Sequence, residues 1–244
     1  MRNIKLIIEY DGTGYHGWQS QINALTIQDV VQDAIKKLTG EEVSLIGSSR
    51  TDFGVHALGQ VANFLTESKI PAEKFSFALN SLLPDDIVIK CSQQVPLDFH
   101  SRFCAKGKKY KYLIFNSSHP SAIFRNRAWN VFIPLKLDLM KSASEYIIGE
   151  HDFSSFRASG SSIKSSIRNI TNISLSRDAE IITLEIEGNG FLYNMVRIIT
   201  GTLVSVGSGK IAPDEMKVIL ESRDRTKAGP TAPAQGLFLV HVNY

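Results

Sequence analysis

Gly47-Ser48-Ser49-Arg50-Thr51-Asp52-Phe53-Gly54-Val55-His56-Ala57-Leu58-Gly59-Gln60-Val61-Ala62-Asn63-Phe64 is a glycine-punctuated loop set between two β-prone runs. Val43 to Ser48 and Val61 to Phe64 read as strands, because apolar runs bounded by turn residues suit a pleated, half-buried surface. The turn-rich stretch between them, Ser49 to Gly59, sets Arg50 and Asp52 two residues apart, where loop side chains can project into a cleft. The same residue types also suit an Asx turn beside a solvated arginine, and taken alone they leave both readings open.

Outward from this loop, Ile4 to Tyr10 predicts a buried strand ending in a Gly-rich turn. Thr26 opens a helix in which Ile27, Val30, Val31, Ala34, Ile35 and Leu38 recur at helical spacing, and Gly40 stops it. A helix from Pro71 to Asn80 and a strand from Ile87 to Ser92 follow. The second half predicts strands at Tyr110 to Phe115 and Ala128 to Phe132, a helix from Asp138 to Ile148, and a hairpin of Ile170 to Ser176 with Ile181 to Glu187. It ends with an almost wholly apolar helix from Phe191 to Val206, an amphipathic one from Pro213 to Ser222, and a strand from Leu237 to Val242. The layout is α+β, without the regular alternation of a doubly wound sheet. Two similar α/β subdomains are expected, residues 1–105 and 106–244, their antiparallel sheets merging around a central cleft.

The 244 residues, 43% hydrophobic and 21% charged, exclude a disordered or fibrous chain. No apolar run approaches the roughly 20 residues of a membrane span, and the early acid Glu9 argues against a signal segment, so a cytoplasmic protein without membrane attachment is expected. Cys91 and Cys104 match neither a disulfide framework nor a zinc-ligand spacing, so no metal is indicated. The net charge of +3 conceals a segregation. Phe99 to Leu137 holds eight bases and no acid, Phe153 to Arg177 four and none, and Gly188 to Pro213 two and none, leaving −11 on the rest of the chain. Converging in space, these blocks would suit a polyanion such as nucleic acid; scattered, they are an ordinary solvated surface.

Three motifs are better read as composition. Gly12, Gly14 and Gly17 match G-x-G-x-x-G, but Trp18 to Leu25 intervenes before helical sequence begins, whereas a dinucleotide site needs the helix to open inside the motif. Asp52-Phe53-Gly54 lacks a kinase catalytic loop, and Ser161-x-x-Lys164 lacks the companion motifs of a β-lactamase. Arg197 differs from these: it stands among apolar Leu192, Met195, Val196, Ile198 and Ile199, so it is expected to be half-buried with a carboxylate partner, or else to snorkel.

The loop resembles the Arg-Thr-Asp-x-Gly-Val-His-Ala motif of the tRNA pseudouridine synthase A family, and the resemblance spans nearly the whole chain. It takes in Tyr10-Asp11-Gly12-Thr13, Asp98-Phe99-His100-Ser101-Arg102-Phe103, Lys109-Tyr110-Lys111-Tyr112, and His151-Asp152-Phe153-Ser154-Ser155-Phe156-Arg157. It continues through Gly190-Phe191-Leu192-Tyr193-Asn194-Met195-Val196-Arg197 and Ala228-Gly229-Pro230-Thr231-Ala232-Pro233. Two residues depart from the pattern: Ser49 stands where glycine is usual, and Phe53 where a small residue is usual, adding bulk beside Asp52.

The resemblance implies the pseudouridine synthase fold and isomerisation of uridine to pseudouridine at positions 38, 39 and 40 of the tRNA anticodon stem-loop. It further implies a homodimer that works without cofactor. It implies that Asp52 is the nucleophile, paired with Arg197, that Tyr110 packs on the uracil, and that Arg50 holds the space the flipped base leaves. Phe99, His100, Ser101, Arg102 and Phe103 match an RNA-contact segment, and Ser162, Ile163, Lys164, Ser165 and Ser166 align with a second one. Lys108, Lys109, Lys111, Arg125 and Arg127 would supply phosphate contacts. A non-catalytic RNA-binding protein on the same fold, or a nucleotide-dependent enzyme using the Gly12 loop, are the competing expectations.

Overall fold

Alternation of apolar and polar residues along Arg2–Tyr10 (β1) buries Ile4, Leu6, Ile8 and Tyr10 on one face, as a strand of period two requires. This strand lies between His56–Thr66 (β3) and Ile87–Val95 (β4), antiparallel to both. The other edge of β3 is shared by the short strand Ile46–Gly47 (β2), antiparallel, and by Leu237–Asn243 (β10), parallel. Ile27–Thr39 (α1) is capped by Thr26, whose side chain accepts from the Asp29 N–H, and stopped by Gly40 in the left-handed conformation at φ 76°. It buries Ile27, Val31, Ala34 and Ile35. Phe75–Asn80 (α2) follows a 3-10 turn at Ala72–Lys74 and sets Phe75 edge-on to Phe64 of β3, ring centroids 5.7 Å apart.

A computed structural model describes residues 1–160 and 165–244 and divides them into two units: Met1–Lys106 with Phe238–Tyr244, and Gly107–Leu237. The last strand, expected with the second half, thus belongs to the first unit. The chain is α+β as expected, yet its sheets are not purely antiparallel. β10 returns to β3 after the long segment 107–237, so no hairpin dictates its direction.

In the second unit, Gly107–Asn116 (β5), Ile181–Gly188 (β9), Ile167–Asp178 (β8) and Gly149–Asp152 (β7) form consecutive antiparallel pairs, and Trp129–Val131 (β6) adds in parallel to the end of β5. Tyr112, Ile114, Ile182, Leu184 and Ile186 form its buried face. Leu137–Glu145 (α3) packs against β8 and against Met195–Gly207 (α4), while Glu215–Ser222 (α5) buries Met216, Ile219 and Leu220. α4 begins four residues later than its apolar run predicts, because Asn194 holds the left-handed conformation at φ 59° and ends the non-helical entry. Among the described residues, no helix is long and apolar enough to cross a membrane.

The stretch from Ala228 to Pro233 lies directly on α4. A methyl group on Gly201 would stand 1.7 Å from the Pro230 carbonyl oxygen, and one on Gly229 would stand 2.7 Å from the Thr202 Cα. The Gly229 N–H donates to the Thr202 hydroxyl at 2.9 Å, closing the same contact. Backbone cannot yield as a side chain can, so Gly201→Ala is expected to cost about 2–3 kcal/mol in denaturant unfolding. An unchanged midpoint would contradict this approach of backbone to helix.

Candidate active site

The loop from Ser48 to Val55 is held from both ends. Its entry is fixed by Gln60 of β3, which is fully buried: the Ser48 hydroxyl donates to its Oε1 at 2.7 Å, and its Nε2 donates to the Ser49 carbonyl at 2.7 Å. At its centre the Thr51 hydroxyl meets the Tyr10 hydroxyl at 2.8 Å, and the Thr51 carbonyl accepts from the Trp18 N–H at 3.1 Å. Its exit is a turn in which the Val55 N–H donates to the Asp52 carbonyl at 3.2 Å, with Gly54 at φ +75° in the position where such turns need a left-handed residue. That turn leaves Asp52 half-buried, Phe53 at the exposed apex and Arg50 exposed.

The glycines at 12 and 17 explain why the loop can sit where it does. A methyl group on Gly12 would lie 2.0 Å from the Val55 carbonyl oxygen, and one on Gly17, itself at φ +83°, would lie 2.1 Å from that of Thr51. Gly14 meets nothing within 4 Å, so it is not part of this packing. The Gly12 N–H donates to the buried His56 ring at 3.1 Å, and the ring stacks on Phe238 with centroids 4.6 Å apart. The Asp11 carboxylate also lies 3.2 Å from Nδ1 of His56. Tyr15 donates to Asp86 at 2.6 Å; burial first, then this carboxylate, push its hydroxyl well above the usual range, so it remains a donor. The G-x-G-x-x-G match is therefore a backing for the Asp52 loop.

In the second unit, Arg197 stands in the first turn of α4, half-buried. Its Nε donates to the Ala232 carbonyl at 2.7 Å and its Nη1 to the Asn194 side chain at 2.8 Å, while the Ala232 N–H returns a bond to the Arg197 carbonyl at 3.1 Å. Tyr112 lies in the same region: burial pushes its hydroxyl well up, the Arg197 charge opposes this in part, and the hydroxyl donates to the Pro233 carbonyl at 2.6 Å. Tyr110 of β5 is buried, with Phe191 edge-on at 5.2 Å and 85°. Lys109 pairs with Glu185 at 3.0 Å, and Arg125 is exposed and donates to the Ala122 carbonyl at 2.6 Å.

The segment from Phe99 to Phe103 is an aromatic and basic cluster on the first unit. His100 stacks on Phe103 at 4.2 Å, Arg102 lies 5.7 Å over the same ring, and Phe99 meets Tyr244 at 5.0 Å. Arg102 and Phe103 are exposed. Ser101 is not: it is fully buried, its N–H bonded to Asn63, its hydroxyl donating to the Ile46 carbonyl, and its carbonyl accepting from Tyr244. Its place is to anchor the segment. Of the second expected segment, Ser162, Ile163 and Lys164 lie outside the described residues, Ser165 is exposed, and the Ser166 carbonyl accepts from the Phe153 N–H at 3.0 Å.

Gln60, which fixes the loop entry, and Asn194, which holds Arg197, have no counterpart among the site residues expected from sequence. Gln60 interrupts an apolar strand, which is a usable signal for a buried hydrogen-bonding side chain, whereas nothing local marks Asn194. Among the described residues, no three His, Cys, Asp or Glu side chains converge as a metal-binding group.

The profile of a family described as tRNA pseudouridine synthase matches residues 6–104 and 143–244. A tRNA pseudouridine synthase A of Acetivibrio thermocellus is 63% identical over 244 residues, covering the whole of both chains. Proteins of the same name from a Thermoanaerobacter species and from Ruminiclostridium cellulolyticum are each 58% identical, again over the full length of both chains.

Ser49, the departure next to Arg50, carries the one buried side-chain oxygen or nitrogen among the described residues that has no hydrogen-bond partner. An unmet buried hydroxyl costs about 1–3 kcal/mol. Ser49→Ala removes it without adding volume and is expected to raise the thermal midpoint, by about 1 kcal/mol in stability; a fall in the midpoint would show that the hydroxyl is paired.

Proposed function

Since the chain belongs to the tRNA pseudouridine synthase family, the reaction it catalyses is isomerisation of uridine to pseudouridine in tRNA, and we propose that Asp52 is its nucleophile. The observation that carries this reading is the treatment of Asp52: a half-buried carboxylate at a turn locked by Gln60, Tyr10, Trp18 and two close-packed glycines. Fixing a reacting group in this way avoids the entropy cost of orienting it during reaction. The carboxylate attacks C1′ of the target uridine as the N1–C1′ bond breaks. The uracil leaves as the N1 anion and turns, C5 attacks C1′ and displaces the Asp52 carboxylate, and loss of the C5 proton with protonation of N1 completes the isomer and regenerates the free carboxylate.

The remaining roles follow from chemistry and placement. Arg197, set rigidly by Asn194 and Ala232, is the cation that pairs with Asp52 and keeps it ionised. Tyr110, braced by Phe191, packs on the uracil ring. Arg50, exposed two residues before Asp52, enters the space left in the stack or holds the neighbouring phosphates. Phe99, His100, Arg102 and Phe103 contact the RNA, with Ser101 positioning them, and Ser162 to Ser166 form a second contact. The uridines are those at positions 38, 39 and 40 of the anticodon stem-loop, and the working form is a homodimer in the cytoplasm. Full-length identity above one half to tRNA pseudouridine synthase A proteins supports these assignments.

Incubated with unmodified tRNA and no ATP, NAD or metal, the protein is expected to yield pseudouridine at those positions, and Asp52→Asn to lower the rate by more than about a thousandfold. Product persisting with Asp52→Asn would refute the nucleophile; product absent with the wild type would leave only RNA binding. Removing a cation beside a carboxylate makes protonation easier. Arg197→Met should therefore move the acidic limb of the pH–rate profile to higher pH, and an unmoved limb would refute the pairing. Arg102→Ala should lower the slope of log affinity for tRNA against log salt by about one, whereas an unchanged slope would place Arg102 away from phosphate.

A further inference from the structure

We propose that Phe53, buttressed by His16, is a stacking platform for one of the two nucleobases that flank the isomerised uridine, which makes Phe53 a substrate-positioning residue. The proposal rests on the reading of Asp52 as the group that meets the target nucleotide. Phe53 directly follows Asp52 and occupies the apex of the Asp52–Val55 turn, with 57% of its surface exposed. Leaving a phenylalanine ring in water forgoes about 1 kcal/mol or more of burial, and the apex could hold a small residue without changing the turn.

The exposed ring is held in place. Its centroid is 5.1 Å from that of His16, the planes inclined at 54°. Hydrogen bonds on either side lock the two loops that carry the pair: Gly54 N–H to the Tyr15 carbonyl at 3.4 Å and Trp18 N–H to the Thr51 carbonyl at 3.1 Å. The backbone of His16 is fixed in turn, its N–H donating to the Leu25 carbonyl at 2.8 Å and its carbonyl accepting from the Gln21 side chain at 2.9 Å. An aromatic face that is exposed and carried on a hydrogen-bonded backbone, one residue from Asp52, suits a partner that is flat and unpaired.

The substrate supplies such a partner. Turning a uridine out of its stack leaves each adjacent base with one bare face. A protein aromatic can cover it, and base–aromatic stacking contributes enough to change affinity by about tenfold per base without reading sequence. A neighbouring base laid on Phe53 is fixed one residue from Asp52, which sets the sugar of the target against the carboxylate.

The test is a double-mutant cycle between Phe53 and the RNA. Phe53→Ala and Phe53→Leu should each lower kcat/KM on tRNA by about tenfold, while Phe53→Trp keeps it within about twofold of wild type, and His16→Ala costs less than Phe53→Ala. An abasic residue on one side of the target uridine should cost the wild type about tenfold and cost Phe53→Ala nothing further, since the two changes delete the same contact. Phe53→Ala acting at the wild-type rate, or penalties that multiply at both flanking positions, would overturn the proposal. Equal thermal midpoints for these variants exclude misfolding as the cause. Persistence of product with Asp52→Asn would defeat the nucleophile assignment, whereas the Phe53–abasic coupling measures stacking whichever group attacks, so the two failures are separable.

Discussion

The carbonyl oxygens of Thr51 and Val55 occupy the places where Cβ atoms would stand at residues 17 and 12. No side chain fits there, and at Gly17 the backbone at φ +83° adds a second reason for glycine. This contact of backbone on backbone ties the opening loop to the loop of Asp52. Around it the other restraints fall into order: Trp18 bonds across the join, Tyr10 reaches Thr51 from β1, and Gln60 reaches back from β3 to the loop entry. A carboxylate in an ordinary surface turn would sample many positions; here the turn has few.

The second unit uses the same device for its own charged group. Gly201 and Gly229 let the stretch from Ala228 to Pro233 lie against α4, and the Ala232 backbone then both gives a bond to Arg197 and takes one from it. Asn194, in the left-handed conformation at the helix entry, supplies the other partner. Each unit thus fixes the backbone around one charged side chain, Asp52 or Arg197, by glycine-dependent packing, with polar partners adding direction. Stability is given up for this at Ser49, whose buried hydroxyl has no partner among the described residues, and at Phe53, whose ring faces water.

Much of the fold was legible from residue pattern. β9 follows strict alternation, β1 is an apolar run with β-prone residues, and α1 is bracketed by Thr26 and Gly40, so local physics and tertiary structure agree there. Apolar content running through Phe191 and Leu192 extends the predicted α4 too far toward its start, while the left-handed Asn194 that delays the helix is a single backbone choice with no periodic signature. β7 was missed: Gly149–Asp152 is a polar run of four residues, joined to the sheet by its partner β8 rather than by any pattern of its own. The site divides similarly. Asp52, Arg197 and Tyr110 are marked by motif, whereas the burial of Ser101 and its three bonded groups leave no signal in the sequence. The spacing of Gly12 and Gly17 excludes a phosphate loop but does not show what they pack against, because it records that glycines are needed, not what approaches them.

The central claim is that glycine-permitted backbone contact, more than any side-chain bond, sets the position of Asp52 for catalysis. The most direct measurement is single-turnover pseudouridine formation by Gly17→Ala beside its tRNA binding affinity. A methyl group at residue 17 would stand 2.1 Å from the Thr51 carbonyl oxygen and 3.0 Å from the Asp52 carbonyl carbon, and no atom of residues 99–103 is among the three nearest to it. The rate should fall by about a hundredfold or more, with affinity held within about twofold; a wild-type rate in a folded Gly17→Ala protein would contradict the role of this contact.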